Sequence, residues 1–427
     1  METNMFKVNF LSKAYVKPKK SVGRKVCQLI TFDLPYLSIQ YTQKIIIYRG
    51  VDFENMVEKL KDGLSVVLQD FYQLAGNLGR DEDGVVRVEY DDDSNGVEVA
   101  VASMEAREVA ELMTAESAND LIDLVPLNGV YNLEGFHRPL LAIQLTKLKD
   151  GLVLGCAFNH GVSDGTSMWH FMTSWANTCN RSPTLFIPPF LNRTAARNSR
   201  VPFNFQPPNE DLPLIRDKIF KFSNQKIEEM KSIVNSNSSD VSNPISTFQA
   251  FSSHAWRAIT RARQLKQDDH SVLTVFADIR KRISPPMPKT YFGNLIQAAF
   301  TVSTVGLLLT QPPLSSAKLI QEAINQKDAK AIEETCKLFE KKPKIVRLED
   351  ARPNSVLMAS SPRFKVYDVD FGWGRPESVR SGINNRFDGM VFLHEGKSGG
   401  KSIDVDISLQ ANAMKKLEAD KEFLMEP

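Results

Sequence analysis

The stretch Leu152–Trp175, LVLGCAFNHGVSDGTSMWHFMTSW, constrains the fold most, because its hydrophobic period changes within a few residues. Leu152, Val153, Leu154, Cys156, Ala157 and Phe158 follow the turn signal Asp150-Gly151 and read as a buried strand after a hairpin. Beyond them Met168, Trp169, Phe171, Met172 and Trp175 recur at helical spacing, with Ser163 or Asp164 as cap. His160 therefore stands at a strand end beside a helix start, with Asp164 four residues on.

Two chemistries compete for these residues. Gly161-Val162-Ser163-Asp164-Gly165 matches the hydrolase nucleophile elbow G-x-S-x-G, in its strand-turn-helix setting, and makes Ser163 a nucleophile. The same residues match H-x-x-x-D-G, in which His160 is a general base and the serine is filler. Against the elbow, no H-G-G-G oxyanion segment precedes it, and the first half reads as hairpins rather than alternating βα units. The two readings predict opposite single mutants.

With 53 basic and 51 acidic residues in 427, the net charge of +2 gives no global attraction to nucleic acid or an anionic membrane. The start of the chain lacks an apolar leader, and no run approaches the roughly 18 apolar residues of a spanning helix. A soluble, cytoplasmic monomer is expected. Cys27, Cys156, Cys179 and Cys336 are widely spaced and read as reduced structural thiols. His137, His170, His254, His270 and His394 lack metal-ligand spacing, so no metal is expected. Asn192-Arg193-Thr194 and Asn237-Ser238-Ser239 fit the glycosylation pattern, which has meaning only in a secreted chain.

Along the chain, Val26–Phe32 and Lys44–Tyr48 read as strands, and Phe53, Val57, Leu60, Leu64, Leu68 and Phe71 form one helical stripe. Val85–Tyr90 and Val97–Val101 look like a hairpin around the acidic loop Asp91–Gly96, which lacks the remaining ligands of a calcium loop. Leu140–Leu148 pairs with the strand from Leu152. Residues 1–180 form a first domain, the Pro- and Asn-rich 181–214 a crossover loop, and 215–427 a second domain. The second domain offers strands at Ile219–Phe222, Ser271–Ile283, Ser355–Val369, Val391–His394 and Ile403–Leu409. Its helices are Gln225–Val234, Thr247–Arg263, one or two within Ala317–Phe339, and Ala411–Phe423. The expected fold is a pseudo-symmetric pair of α+β domains.

A second motif, Asp370-Phe371-Gly372-Trp373-Gly374, completes a pair with His160–Gly165. Its D-F-G resembles the kinase motif, but no H-R-D or glycine-rich phosphate loop accompanies it. Together the two motifs resemble the signature of the plant BAHD acyl-CoA-dependent acyltransferases. Tyr72–Leu78, Pro189–Arg193, Asp278–Arg282 with Pro285-Pro286, and Tyr291–Asn294 resemble further family motifs across the whole chain. The segments TFDLPYL, LEGFHRPLLAIQLTKLKDG and SVRSGINNRFDGM are most similar to the Defective in Cuticular Ridges group. Gln73 and Asn192 replace a common Pro and Asp, and Pro362 stands where a Trp often follows Ser-Ser.

The resemblance implies two domains like those of chloramphenicol acetyltransferase, each a mixed sheet flanked by helices, with a tunnel at their interface. Acyl-CoA, a co-substrate rather than a permanent cofactor, enters from one face and the acceptor from the other. His160 is then the general base for direct transfer to a hydroxyl, of a plant specialised metabolite or a hydroxy fatty acid, through a tetrahedral intermediate. Trp373 offers its indole N–H to the oxyanion. Asp164 turns away from His160 and pairs with Arg280, Gly161 and Gly165 permit the turn, and Asp370, Gly372 and Gly374 shape the CoA tunnel. Ser253, Trp256 and Arg257 are placed as CoA contacts. N-acylation by the same family, and a serine esterase using Ser163, are the alternatives; a condensation-type domain would carry a second histidine where Asn159 stands.

Overall fold

The computed structural model describes residues 7–180, 187–205, 214–236, 243–345 and 354–426. Parts of the 181–214 connection, and Asn237-Ser238-Ser239, lie outside the described residues. The strands, in order, are β1 (Asn9–Val16), β2 (Lys25–Gln28), β3 (Thr42–Arg49), β4 (Asn77–Arg80), β5 (Val86–Tyr90), β6 (Val97–Met104), β7 (Leu141–Leu148) and β8 (Gly151–Phe158). Then come β9 (Arg216–Phe222), β10 (His270–Asp278), β11 (Ile296–Thr304), β12 (Ser355–Ala359), β13 (Ser378–Ser381), β14 (Met390–Glu395) and β15 (Ile403–Leu409). The helices are α1 (Phe53–Val67), α2 (Val109–Leu112), α3 (Gly165–Cys179), α4 (Asn224–Ser236), α5 (Thr247–Arg263), α6 (Val305–Thr310), α7 (Pro313–Asn325), α8 (Ala329–Lys341), α9 (Ala411–Glu418) and α10 (Lys421–Leu424).

Two six-stranded mixed sheets dominate, ordered β1-β6-β7-β8-β3-β13 and β11-β10-β12-β14-β15-β9. The inner strands β3 and β8 of the first are buried on both faces, which explains why they read as near-continuous apolar runs. Ile46, Tyr48, Leu152 and Leu154 share a core with Leu60 and Leu64 of α1 and Phe171 and Trp175 of α3. Ile45, Ile47 and Val153 face the other way, toward Val109 and Leu112 of α2. In the second sheet the alternation separates two environments. Leu273, Val275, Val356, Met358, Val391 and Leu393 pack with α4, α5 and α9 residues, whereas Thr274, Phe276, Leu357, Ala359, Met390 and Phe392 line a cavity facing the first half.

Several expectations are corrected. β5 and β6 do not form a hairpin: β5 pairs with β2 and β4, and β6 with β1 and β7. The acidic loop between them is held by Asp92, which accepts from Ser21 Oγ at 2.5 Å and Val22 N at 3.0 Å. β13 belongs by sequence to the second half but pairs antiparallel with β3, Ser381 opposite Lys44. The Asp370–Gly374 motif goes with it, and Val366, Val369 and Phe371 complete the first half's core. The second motif is thus not a feature of the second half's own packing. Neither Ser355–Val369 nor Ala411–Phe423 is continuous; the first contains only β12, and the second divides into α9 and α10.

Phe371 is fully buried and meets Tyr48 and Trp175 edge-on, with ring centroids 6.1 and 4.9 Å away. Phe371→Ala should lower the free energy of unfolding by about 3–5 kcal/mol, measured by denaturant titration; a loss below about 1 kcal/mol would contradict this anchoring role.

Candidate active site

β8 ends at Phe158, and the two following residues are fixed by asparagines. Asn159 Nδ2 donates to Asn132 O at 2.8 Å, and its Oδ1 accepts from Gly161 N at 3.0 Å. The backbone of His160 is held at both ends: its N–H donates to Asn132 Oδ1 and its carbonyl accepts from Asn294 Nδ2, each at 2.8 Å. Asn294 is itself tied to Asp33 Oδ1 through its backbone N–H and its Nδ2, each at 3.0 Å, and Asp33 forms a fully buried ion pair with Arg193 at 2.8 Å. The His160 ring stacks on Tyr36, centroids 4.5 Å apart and planes 13° apart. Burial lowers the imidazole below the usual histidine pKa, with its own carbonyl, Asp164 and Asn294 acting in the opposite direction. The ring is therefore neutral at physiological pH.

Asp164 is not its partner. Asp164 Oδ1 accepts from Ser167 N at 2.9 Å, capping α3, and from Arg280 Nη2 at 2.9 Å. Its Oδ2 accepts from Leu295 N at 3.0 Å and pairs with Arg280 Nη1 at 2.8 Å. Burial alone would raise this carboxyl, yet Arg280 and the two backbone donors bring it below the ordinary carboxylate range. The expected Asp164–Arg280 pair thus joins the helix cap of the first half to the chain leaving β10. Gly165 and Gly161 serve by close approach rather than by left-handed backbone, since neither has positive φ. A Cβ at Gly165 would stand 2.8 Å from Phe364 Cζ, and one at Gly161 2.5 Å from Leu37 Cδ2.

His160 lines a cavity of about 1260 Å³ whose walls come from both halves, including Thr31, Tyr36 and Thr166 from the first and Gln249, Thr274 and Phe364 from the second. Ser163 also reaches this lining, but its buried Oγ has no hydrogen-bond partner. Among the described residues, no group of three or more His, Cys, Asp or Glu is placed to hold a metal ion.

The Transferase family model matches residues 6–424. The BAHD acyltransferase DCR of Arabidopsis thaliana is 50% identical over 98% of this chain and 93% of that protein. This chain belongs to the BAHD acyltransferases. A hydroxycinnamoyltransferase of Narcissus pseudonarcissus is 31% identical over 84% of this chain and 86% of its own. The fold is that of vinorine synthase (TM-score 0.78, 19% identity, 98% of each chain). It is also that of F. graminearum TRI101 in a structure with coenzyme A and T-2 mycotoxin (0.77, 18%, 94% of this chain and 99% of that one).

Within this BAHD chain, four of the expected contacts lie elsewhere. Ser253 Oγ bonds Ser316 Oγ at 2.6 Å and Trp256 Nε1 bonds Ser271 Oγ at 2.8 Å. Arg257 donates to the carbonyls of Leu308, Leu309 and Gln311 at the end of α6. All three are packing residues of α5; it is the first turn of that helix and its cap, Ser246, Phe248 and Gln249, that reach the cavity. Trp373 stacks on Phe371 and meets Tyr48 edge-on at 5.8 Å. Tyr48 lies six residues along β3 from Thr42, which pairs with Phe158, so the indole is on the order of 20 Å from the His160 end of the strand. Trp373 does not line the cavity, and its N–H is no oxyanion donor for His160. Asp370 Oδ1 accepts from Gly372 N, Trp373 N and Gly374 N at 2.7, 3.1 and 2.9 Å, with both glycines at φ +105°. It ties its own loop, on the far side of the first half's core, and shapes no wall of the cavity.

Sequence reasoning did not single out Tyr36, Asn132, Asn294, Asp33 and Arg193. Apart from Asn132, each stood inside a matched segment, TFDLPYL, PFLNR or YFGN, that was used only for recognition.

Arg280→Met would leave the Asp164 carboxylate buried and unpaired, at a cost of about 3–5 kcal/mol in unfolding free energy at neutral pH. Because the Asp164 pKa is depressed in the folded state, its contribution is present above the ordinary carboxylate range and fades as pH falls through that range. The difference between wild type and variant should therefore shrink on acidification, as read from denaturation midpoints at neutral and acid pH.

Proposed function

We propose that the protein transfers an acyl group from a CoA thioester to a hydroxyl of a small plant metabolite or hydroxy fatty acid, with His160 as general base. The observation that carries this reading is a neutral imidazole on the wall of a cavity that both halves build. At about 1260 Å³ the cavity exceeds the roughly 300–1,000 Å³ of single-ligand pockets, which suits a reaction that holds two substrates at once. Likeness to a protein called BAHD acyltransferase DCR supports acyl transfer, and the fold is shared with a structure that holds coenzyme A and T-2 mycotoxin.

An alcohol is a weak nucleophile, so His160 takes its proton as the oxygen attacks the thioester carbonyl carbon. The tetrahedral intermediate collapses by breaking the carbon–sulfur bond, and the imidazolium returns the proton to the departing thiolate. The histidine needs to be neutral before attack, and its burial keeps it so. Tyr36 and the two asparagines fix its orientation without consuming its basicity in an ion pair. On this reading the enzyme acts as a cytoplasmic monomer on two small molecules. One chain supplies both walls of the cavity, and no helix among the described residues is long and apolar enough to cross a membrane.

His160→Ala should remove at least about 10²-fold of turnover, whereas Ser163→Ala should keep most of it. Purified protein with acyl-CoA and a panel of hydroxyl and amine acceptors, followed by free thiol release and product mass, checks both. The reverse pattern would instead establish the esterase. The acid limb of kcat/KM should have its midpoint below the ordinary histidine value of 6.5, because protonation of His160 abolishes the base; a midpoint above it would contradict the assignment.

A further inference from the structure

Among the described residues, Lys44 is a buried cationic side chain on the cavity wall that no carboxylate pairs. Lys44, on β3, lines the cavity and is only 4% exposed. Its Nζ donates to Ser381 Oγ at 2.9 Å, on the facing strand β13, and lies 5.9 Å from the centroid of the Phe392 ring. Among the described residues it has no ion-pair partner. Asp406, whose field reaches it, is clamped by Arg386 Nη1 at 2.8 Å and Nη2 at 2.5 Å. Asp217 is 3.5 Å from the same arginine and accepts from Ala118 N. His394, bonded to Ser381 Oγ at 3.2 Å, is held neutral by burial and by the surrounding cations Lys44, Arg386 and Arg380. The carboxylates nearest Lys44 are thus already bound to Arg386 or to backbone, and none of them bonds the ammonium.

The adjoining lining is apolar, formed by Leu357, Ala359, Phe387, Met390 and Phe392. A buried ammonium costs several kcal/mol unless an anion accompanies it. Burial brings Lys44 down to about 7, Asp406 opposing and Arg386 adding to the effect, so a bound anion would restore its charge. A mere strand-to-strand tie to Ser381 would require only a hydroxyl or an amide here, not a cation.

We propose that Lys44 anchors a substrate carboxylate, the apolar body of that substrate lying along Phe387, Met390 and Phe392. This rests on the acyl-transfer reading of the cavity. Lys44 pairs with Cys156, four residues before His160, so the anion sits on the order of 10 Å from the imidazole. That spacing fits a hydroxyl and a carboxylate at opposite ends of a medium-length chain, not an α-hydroxy acid. The carboxylate belongs to a hydroxy-acid acceptor or to a dicarboxylic acyl donor.

The test compares 10-hydroxydecanoate, its methyl ester and 1-decanol as acceptors with acetyl-CoA, and malonyl-CoA against acetyl-CoA as donors with 1-decanol. Wild type, Lys44→Met and Lys44→Arg are assayed. The full-chain enzyme should favour the free acid over its ester by about tenfold or more in kcat/KM. Lys44→Met should bring that ratio to about one through KM, and Lys44→Arg should keep most of it. Collapse of the malonyl-over-acetyl preference instead would assign the same anchor to the donor. Acid, ester and donor ratios all near one in wild type, and unmoved by Lys44→Met, would overturn the proposal while leaving acyl transfer intact. If no acceptor releases thiol, the acyl-transfer reading fails separately. Calorimetric binding of decanoate against methyl decanoate to wild type and Lys44→Arg then decides the anchor without turnover: tighter binding of decanoate supports it, and equal binding defeats it even where Lys44→Met does not fold.

Discussion

The Asp164–Arg280 pair is the interaction on which the rest of the site depends. Each half has a six-stranded sheet, and the first borrows β13 and part of its core from the second. At the cavity they are joined by a carboxylate that caps α3 and, through the same two oxygens, receives a guanidinium from the end of β10. Removing both charges from water is costly and is offset only by the full set of hydrogen bonds seen here. The consequence is chemical as well as structural. With every strong acceptor direction of Asp164 occupied, the histidine four residues earlier is left neutral and unpaired, as a base for an alcohol requires.

The cavity itself follows from side-chain alternation. In the second sheet β10 places Leu273 and Val275 against the helices and leaves Thr274 and Phe276 to face the first half, and β12 does the same with Val356 and Met358 against Leu357 and Ala359. A sheet covered on one face only would expose that other face to water, were the first half not set opposite it. His160 enters from a different direction, at the end of a strand buried on both sides. Catalytic precision thus comes from rigid elements, while the pocket's shape comes from the sheet face opposite them.

The strand-histidine-helix stretch, α1 and α5 were legible because each is written in local periodicity or a cap, whereas the Asp164–Arg280 pair was expected only from the family resemblance. β13 was not. Its four residues, Ser378–Ser381, carry no apolar alternation, and the buried Arg380 donates to the carbonyls of Ala115 and Met113 in the other half. β5 and β6 were misread for a related reason: a polar turn between two apolar runs signals a change of direction, not which strand each run will meet. On α5 the helix was right and the functional end wrong, since Trp256 and Arg257 look like ligand groups in sequence while their hydrogen bonds are spent on Ser271 and α6. Trp373 failed through distance alone, which no linear spacing of motifs encodes.

The Asp370 loop nevertheless bears on the site, by continuity of the chain. The segment that leaves the cavity wall at Ser360, Ser361 and Phe364 passes through this loop and returns as β13, which sets Ser381 against Lys44. Its start is fixed by the contact of Phe364 with Gly165 and its end by pairing with β3. Between those points the backbone must turn sharply, and one carboxylate oxygen gathering three N–H groups, with two residues in a conformation that only glycine adopts cheaply, achieves this. Slack in that loop would loosen Phe364 on one side and Ser381 on the other. A motif far from the reacting atoms therefore bears on the site indirectly, because the chain it turns carries Phe364 of the cavity wall at one end and Ser381, the partner of Lys44, at the other.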